Sequence, residues 1–202
     1  MTTSHPSSET LADYAFGGLK TGARLVLGVH LRACAVCRRE VERLEAVGGA
    51  LLEVQADAAM APDALDRALA SLERQAPSSE ESPRMRWQDQ MKGFWTPIGV
   101  GAAVKPLPKM ADAGERFYLI RAEGGRALPE HGHMGMERLV VITGAFEDQH
   151  GRYGPGDLVE RGPEDRHQPV VCEGETCLCL SATEGAVKLS GLARLAQVFL
   201  GI

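Results

Sequence analysis

His30-Leu31-Arg32-Ala33-Cys34-Ala35-Val36-Cys37 sets one imidazole and two thiols within eight residues. On a helix, the gap of four from His30 to Cys34 brings both to one face, and the gap of three to Cys37 continues it. Soft thiolates with an imidazole in near-tetrahedral reach suit Zn2+ better than any hard cation. A fourth ligand has to come from elsewhere, and His5 is the only other histidine in the N-terminal half. A redox Cys-x-x-Cys, or two buried cysteines beside an incidental histidine, are the alternatives. A redox pair usually follows a strand, whereas this one lies among helix-forming residues. His5, His30, Cys34 and Cys37 are therefore the candidate zinc ligands.

Outward from this stretch the N-terminal half reads as helices. Ser7 or Ser8 can cap a first helix with an apolar face of Leu11, Tyr14, Ala15 and Leu19, stopped by Gly17-Gly18. A second runs from about Thr21 to His30 with Leu25, Val26 and Val29 inward. Cys34 and Cys37 open a longer third helix carrying Val41, Leu44, Val47, Leu51, Leu52 and Val54. A fourth begins at Pro62, a first-turn residue, and shows Leu65, Ala68, Leu69 and Leu72. A core of this size often needs a staple, and a zinc tying His5 to the junction of helices two and three supplies one. The stripe on the fourth helix either completes the bundle or is offered to a partner.

Ala76-Pro77-Ser78-Ser79-Glu80-Glu81-Ser82-Pro83 is a linker by composition. It divides the chain into a helical domain over 1–76, a linker over 77–84 and a second domain over 85–202. There the pattern changes to short apolar runs, Phe117–Ile120, Leu139–Ile142 and Leu178–Leu180. Turn clusters at Gly124-Gly125, Gly151, Gly154–Asp157, Gly162-Pro163 and Glu173-Gly174 separate them. Many short strands at this spacing indicate an antiparallel sandwich or barrel. From Leu189 to Leu200 the chain reads as helical again. The fold class is α+β multidomain: a small all-α zinc-binding domain, then an antiparallel β barrel.

A second constellation lies in that barrel, His131-Gly132-His133-Met134-Gly135-Met136-Glu137. The three candidate ligands have odd numbers, so on strands in register they share one face. His167 follows at a distance suited to hairpin return. Three imidazoles and a carboxylate bind Zn, Fe, Mn or Ni and can leave coordination positions open; surface histidines in a glycine turn are the alternative. Cys177 and Cys179 share a strand face, as an accessory redox pair or as small buried residues. His150, in Asp148-Gln149-His150-Gly151, reads as a solvated turn residue.

Composition limits the partners. The 202 residues carry a net charge of −5, which favours neither nucleic acid nor an anionic membrane. No apolar run approaches the roughly 18–20 residues of a membrane span. The opening Met1–Pro6 lacks the basic and apolar regions of a signal peptide, so the expected compartment is the cytoplasm. Five cysteines make an odd number for a disulfide framework.

Two family patterns match. His5 followed by His30-x-x-x-Cys34-x-x-Cys37 resembles the zinc-binding anti-sigma domain. Gly125–Glu137, closing at Gly144, resembles the first cupin motif at each defining position. Gly156-Asp157 and Pro163–His167 resemble the second, but Asp165 stands where glycine is usual and no asparagine follows. In this order the halves, and Gly144–Asp157 in particular, resemble the ChrR-type anti-sigma factors over nearly the whole chain. The resemblance implies a helical domain that grips an extracytoplasmic-function sigma factor and blocks its association with core RNA polymerase. It implies a cupin sensor with a second metal, zinc or another divalent ion, at His131, His133, Glu137 and His167. It also implies release under singlet oxygen or organic hydroperoxide, and no catalysis. A metal-dependent, dioxygenase-like cupin enzyme with a helical regulatory domain is the alternative, since the same ligand set serves both.

Overall fold

The protein's structure, a computed structural model, describes residues 2–75 and 90–189. The linker assigned to 77–84 and the helix expected from Leu189 to Leu200 lie outside these, apart from Leu189, which ends a strand. Within the described residues, 2–49 and 95–189 make one compact unit and 50–75 with 90–94 another.

In the first unit, α1 (Ser8–Phe16) begins where the Ser7 hydroxyl accepts a hydrogen bond from the Thr10 N–H and ends at Gly17, whose φ of 78° is left-handed. The next helix, α2 (Thr21–Ala33), has no cap from its own N-cap residue, Lys20. Its first-turn N–H groups donate instead to two distant carboxylates. Thr21 reaches Asp112 at 2.7 Å, and Gly22 and Ala23 reach the two oxygens of Glu115 at 2.8 and 2.9 Å. A Cβ on Gly22 would sit 2.8 Å from that carboxylate, so a larger residue there would push Glu115 back. Cys34 is extended, at φ −108° and ψ 104°, and breaks the chain before α3 (Ala35–Glu53). His30 and Cys34 are therefore not stacked on one continuous helix, as their spacing predicts; they meet at a corner. Arg38 closes the corner by donating to the carbonyls of Leu31 and Arg32.

Six strands form one antiparallel sheet in the order β1-β2-β3-β11-β5-β8. They are β1 (Thr96–Gly99), β2 (Ala102–Pro106), β3 (Glu115–Ala122), β5 (Glu137–Thr143), β8 (Leu158–Arg161) and β11 (Cys177–Glu184). Two three-stranded sheets oppose it. One is β10-β6-β7, from β6 (Phe146–Asp148), β7 (Gly151–Tyr153) and β10 (Val170–Val171). The other is β12-β4-β9, from β4 (His131–His133), β9 (Arg166–His167) and β12 (Val187–Leu189). Leu139, Val141, Phe146, Tyr153, Val171 and Cys179 pack together between the sheets. The alternating residues Phe117, Leu119, Val140, Leu158 and Leu180 are buried as well. They belong to the opposite face of the large sheet, where α2 lies against β3, β5 and β11. The buried face of α2 is Ala23, Val26, Leu27, His30 and Leu31. Leu25 and Val29, expected inward, are only half-buried, because the helix turns the neighbouring stripe toward the sheet.

In the second unit, α4 (Ala64–Gln75) keeps Leu65 and Leu69 in solvent, 64% and 50% exposed, with Leu72 beside them. The end of α3 likewise exposes Leu51 and Leu52.

Gly144, between β5 and β6, has φ 69°, and a Cβ there would lie 2.6 Å from the Thr176 carbonyl oxygen and 2.8 Å from the Cys177 Cα. Both neighbours are backbone and cannot rotate away. Gly144→Ala is expected to destabilise the barrel by about 2–3 kcal/mol, measured as a lowered thermal midpoint in a circular-dichroism melt.

Candidate metal centres

The first cluster is assembled from three places. His5 precedes α1, His30 lies in the last turn of α2, Cys34 is the corner and Cys37 is in the first turn of α3. One donor atom from each lies within 4.8 Å of all the others. His5 Nδ1 is 3.4 Å from both sulfurs. An ion bonded to nitrogen at about 2.0 Å and to sulfur at about 2.3 Å sets such donors roughly 3.5 Å apart in a tetrahedron. His30 Nδ1 donates to the Gly156 carbonyl at 2.7 Å, which leaves Nε2 as a bare lone pair. That Nε2 is buried and has no hydrogen-bond partner among the described residues. Burial holds the His30 pKa below its ordinary value and keeps the ring neutral. Burial pushes the Cys34 thiol up, but hydrogen bonds from Thr2, Cys37 and Val36 outweigh it and bring the pKa down to about 7. Burial, then the Cys34 sulfur, pushes Cys37 up to about 12. Two thiols, one ready to ionise and one held back by its neighbour's charge, fit a dication that neutralises both.

The second cluster forms where the sheets meet. His131 and His133 stand on β4, and His131 pairs in register with His167 on β9. Glu137 is not on the same strand as the histidines. The chain turns through Met134-Gly135-Met136, and Glu137 opens β5 in the large sheet. A Cβ on Gly135 would meet the Glu184 carbonyl at 2.8 Å, so the turn passes tightly over the end of β11. His131 Nδ1 donates to the Pro129 carbonyl at 2.9 Å, and His167 Nδ1 to Asp148 at 3.0 Å. Their Nε2 atoms then confront each other as lone pairs 3.1 Å apart. His133 Nε2 lies 3.5 Å from His167 Nε2 and 3.3 Å from Glu137 Oε2. Ser181 donates to the other Glu137 oxygen at 2.8 Å. Burial opposes the Glu137 charge, but the three imidazoles and the Ser181 hydroxyl outweigh it and hold the pKa below the usual range. Burial lowers His133 and His167. Imidazole nitrogens converging beside a buried carboxylate suit a divalent cation.

Several residues of this centre carry no sequence signal of their own. Asp148, read as part of a turn, orients His167 and is itself held by Arg161 at 3.0 Å. Ser181 could have been found by alternation, since it continues the face of Cys177 and Cys179. Those two thiols are buried 3.6 Å apart on the wall of a cavity of about 40 Å³ that also reaches His131, Glu137 and His167. The hydrogen bond it shares with Cys177, together with burial, pushes Cys179 well above its ordinary value. Cys172 stands apart and accepts from Arg152. His150 is an exposed turn residue.

Antiparallel sheets closing over a three-histidine, one-glutamate set define a cupin, here preceded by helices that carry a His2Cys2 cluster. The family model described as the ChrR Cupin-like domain matches residues 85–187. The chain is 35% identical over 213 residues to the anti-sigma-E factor ChrR of Cereibacter sphaeroides, with 98% of each covered. It superposes with a TM-score of 0.78 and 33% identity on a chain of the crystal structure of Rhodobacter sphaeroides SigE in complex with the anti-sigma ChrR, covering 91% of this chain and 99% of that one. The protein belongs to the ChrR family of anti-sigma factors, which are regulators rather than enzymes. Among the described residues no helix is long and apolar enough to cross a membrane.

In the full chain loaded with Zn2+, His133→Ala is expected to remove the ion held by the barrel. Asp148→Asn, which leaves the ligands in place but alters the partner of His167, should weaken its binding about ten- to a hundredfold. Competition with a chromophoric chelator reads both effects.

Proposed function

We propose that this protein binds an extracytoplasmic-function sigma factor, keeps it from core RNA polymerase, and releases it under oxidative stress through the cupin. The observation that carries this reading is family membership along the whole chain, joined to an apolar helical face that is exposed among the described residues of its own unit. Leu65, Leu69 and Leu72 are three and four residues apart on α4 and exposed, the pattern of a helix that seats in a partner's groove. In this reading residues 1–76 grip the sigma factor, 77–84 link, and 85–202 sense. The site of action is the cytoplasm, with no direct contact to nucleic acid or membrane, in keeping with the charge of −5.

His5, His30, Cys34 and Cys37 hold zinc, for which an S2N2 donor set is selective. His131, His133, Glu137 and His167 hold a second divalent ion, zinc in the first instance. The candidate reactive groups are Cys177 and Cys179. A hydroperoxide in the adjoining cavity would oxidise one thiol to sulfenic acid as its O–O bond breaks and an alcohol leaves. Singlet oxygen and organic hydroperoxides are the expected signals.

Two measurements test the reading. The purified chain should bind a cognate extracytoplasmic-function sigma factor and suppress run-off transcription by its holoenzyme, and Leu65→Asp with Leu69→Asp should weaken binding at least about tenfold. Failure of the wild-type chain to bind or inhibit any such sigma factor would end the proposal. Cys37→Ser should lower bound zinc by about one per chain and weaken sigma binding with it; unchanged zinc content would remove Cys37 from the site.

A further inference from the structure

Two of the four donors in the helical cluster are held in place by the barrel. His30 is oriented by the Gly156 carbonyl, 126 residues away in the turn between β7 and β8. A Cβ on Gly156 would lie 2.7 Å from the Ala33 Cβ and 2.9 Å from the Thr2 methyl group, so the turn presses directly on both segments that supply the histidines. The next residue, Asp157, is buried, and its carboxylate accepts from the N–H groups of Thr3 and Ser4, the Thr3 hydroxyl and the Gly154 N–H. Ser4 then pairs with Leu158 on β8 through its carbonyl, at 3.2 Å, and its hydroxyl, at 2.6 Å. On the far side of His5, Glu160 accepts from the Ser7 N–H and the Thr10 hydroxyl. His5 thus lies between two anchor points on one strand.

That strand also serves the second centre. Arg161 and Glu160 point to opposite faces of β8 and are opposed in register by Glu137 and Arg138 of β5. Inside the barrel, Glu137 is a donor and Arg161 holds Asp148, which orients His167. Outside, Arg138 and Glu160 pair at 3.3 Å and share the Thr10 hydroxyl.

We propose that Gly156, Asp157 and Glu160 are positioning residues for the helical metal site, so that ion affinity at His5, His30, Cys34 and Cys37 is set by how the barrel seats the N-terminal segment. The inference rests on those four side chains being metal ligands. It assigns the seam between β8 and residues 2–10 as the place where a change in the barrel reaches the helices. By linkage the coupling is reciprocal: whatever shifts β8 alters the helical site's ion affinity, and loss of that ion loosens the seam.

The test uses the full chain with zinc as the probe. Chelator competition reads ion affinity at the thiol site, and the alkylation rate of Cys34 and Cys37, located by peptide mass mapping, reads its occupancy. Asp157→Ala should weaken zinc at that site about ten- to a hundredfold, the range for groups that orient ligands, and speed alkylation of both cysteines. Since Asp157 also braces the Gly154 turn, the pair Ser4→Ala with Thr10→Val, which alters no barrel residue, decides alone if Asp157→Ala does not fold. It should give weaker zinc binding and faster alkylation with the barrel's own ion retained. Wild-type affinity and alkylation rates in the folded variants would overturn the proposal. Wild-type protein whose Cys34 and Cys37 are not protected by zinc would overturn the ligand assignment itself.

Discussion

The large sheet of this protein is buried on both faces, and that constraint organises the rest. β3, β5 and β11 place Leu139, Val141 and Cys179 toward the interior, and Leu119, Val140 and Leu180 outward. An antiparallel sheet with one solvated face would alternate apolar and polar residues; these strands do not, so the outer face needs a cover. α2 provides it. Val26 and Leu27 are fully buried there, each contributing on the order of 1.5–3 kcal/mol, an upper figure because the unfolded chain already hides some apolar surface. With α2 seated, the remaining polar contacts become geometrically fixed. Glu115 and Asp112 occupy its N-terminus, where the helix dipole favours negative charge, and its C-terminal turn brings His30 to the Gly156 carbonyl.

The two candidate metal clusters follow one chemical rule by different means. In each, an imidazole gives one nitrogen's proton to a fixed acceptor and so presents the other nitrogen as a lone pair. The acceptor is a backbone carbonyl for His30 and His131 and a carboxylate for His167. These acceptors set tautomer and ring direction. Within the barrel the acceptor for His167 is near in space to its own sheet neighbours. For His30 it belongs to the other half of the chain, which is why the helical cluster and the barrel are parts of one construction in the first unit.

The proposed release requires two states that differ in their hold on a partner. The seam along β8 suits such a role because it is polar and strand-edge in character, whereas the α2 seat is apolar. A change inside the barrel can therefore act on residues 2–10 while leaving α2 in place. The leucines of α4 lie in the other compact unit.

Much was legible in the sequence. Helix stops at Gly17, the turn glycines between strands and the alternation of β5 and β11 follow from local backbone preference and side-chain period, so the α+β order was readable. Both candidate ligand sets, whose side chains the structure brings together, were readable too, because His and Cys at short spacing carry chemistry that the intervening residues do not disguise. Tertiary structure alone decided how the sets are built. It broke the helix at Cys34, placed Glu137 in a different sheet from His131 and His133, and turned α2 so that Ala23 and Leu27 join the expected Val26 at the sheet. It also recruited Asp148, Ser181, Gly156 and Asp157 as supports. The Gly156 and Asp157 contacts depend on which surfaces meet across more than a hundred residues of chain, those of Asp148 and Ser181 on meetings between strands of the barrel. A carbonyl or an aspartate becomes a ligand's partner only through that meeting, and no local pattern of residue types encodes it.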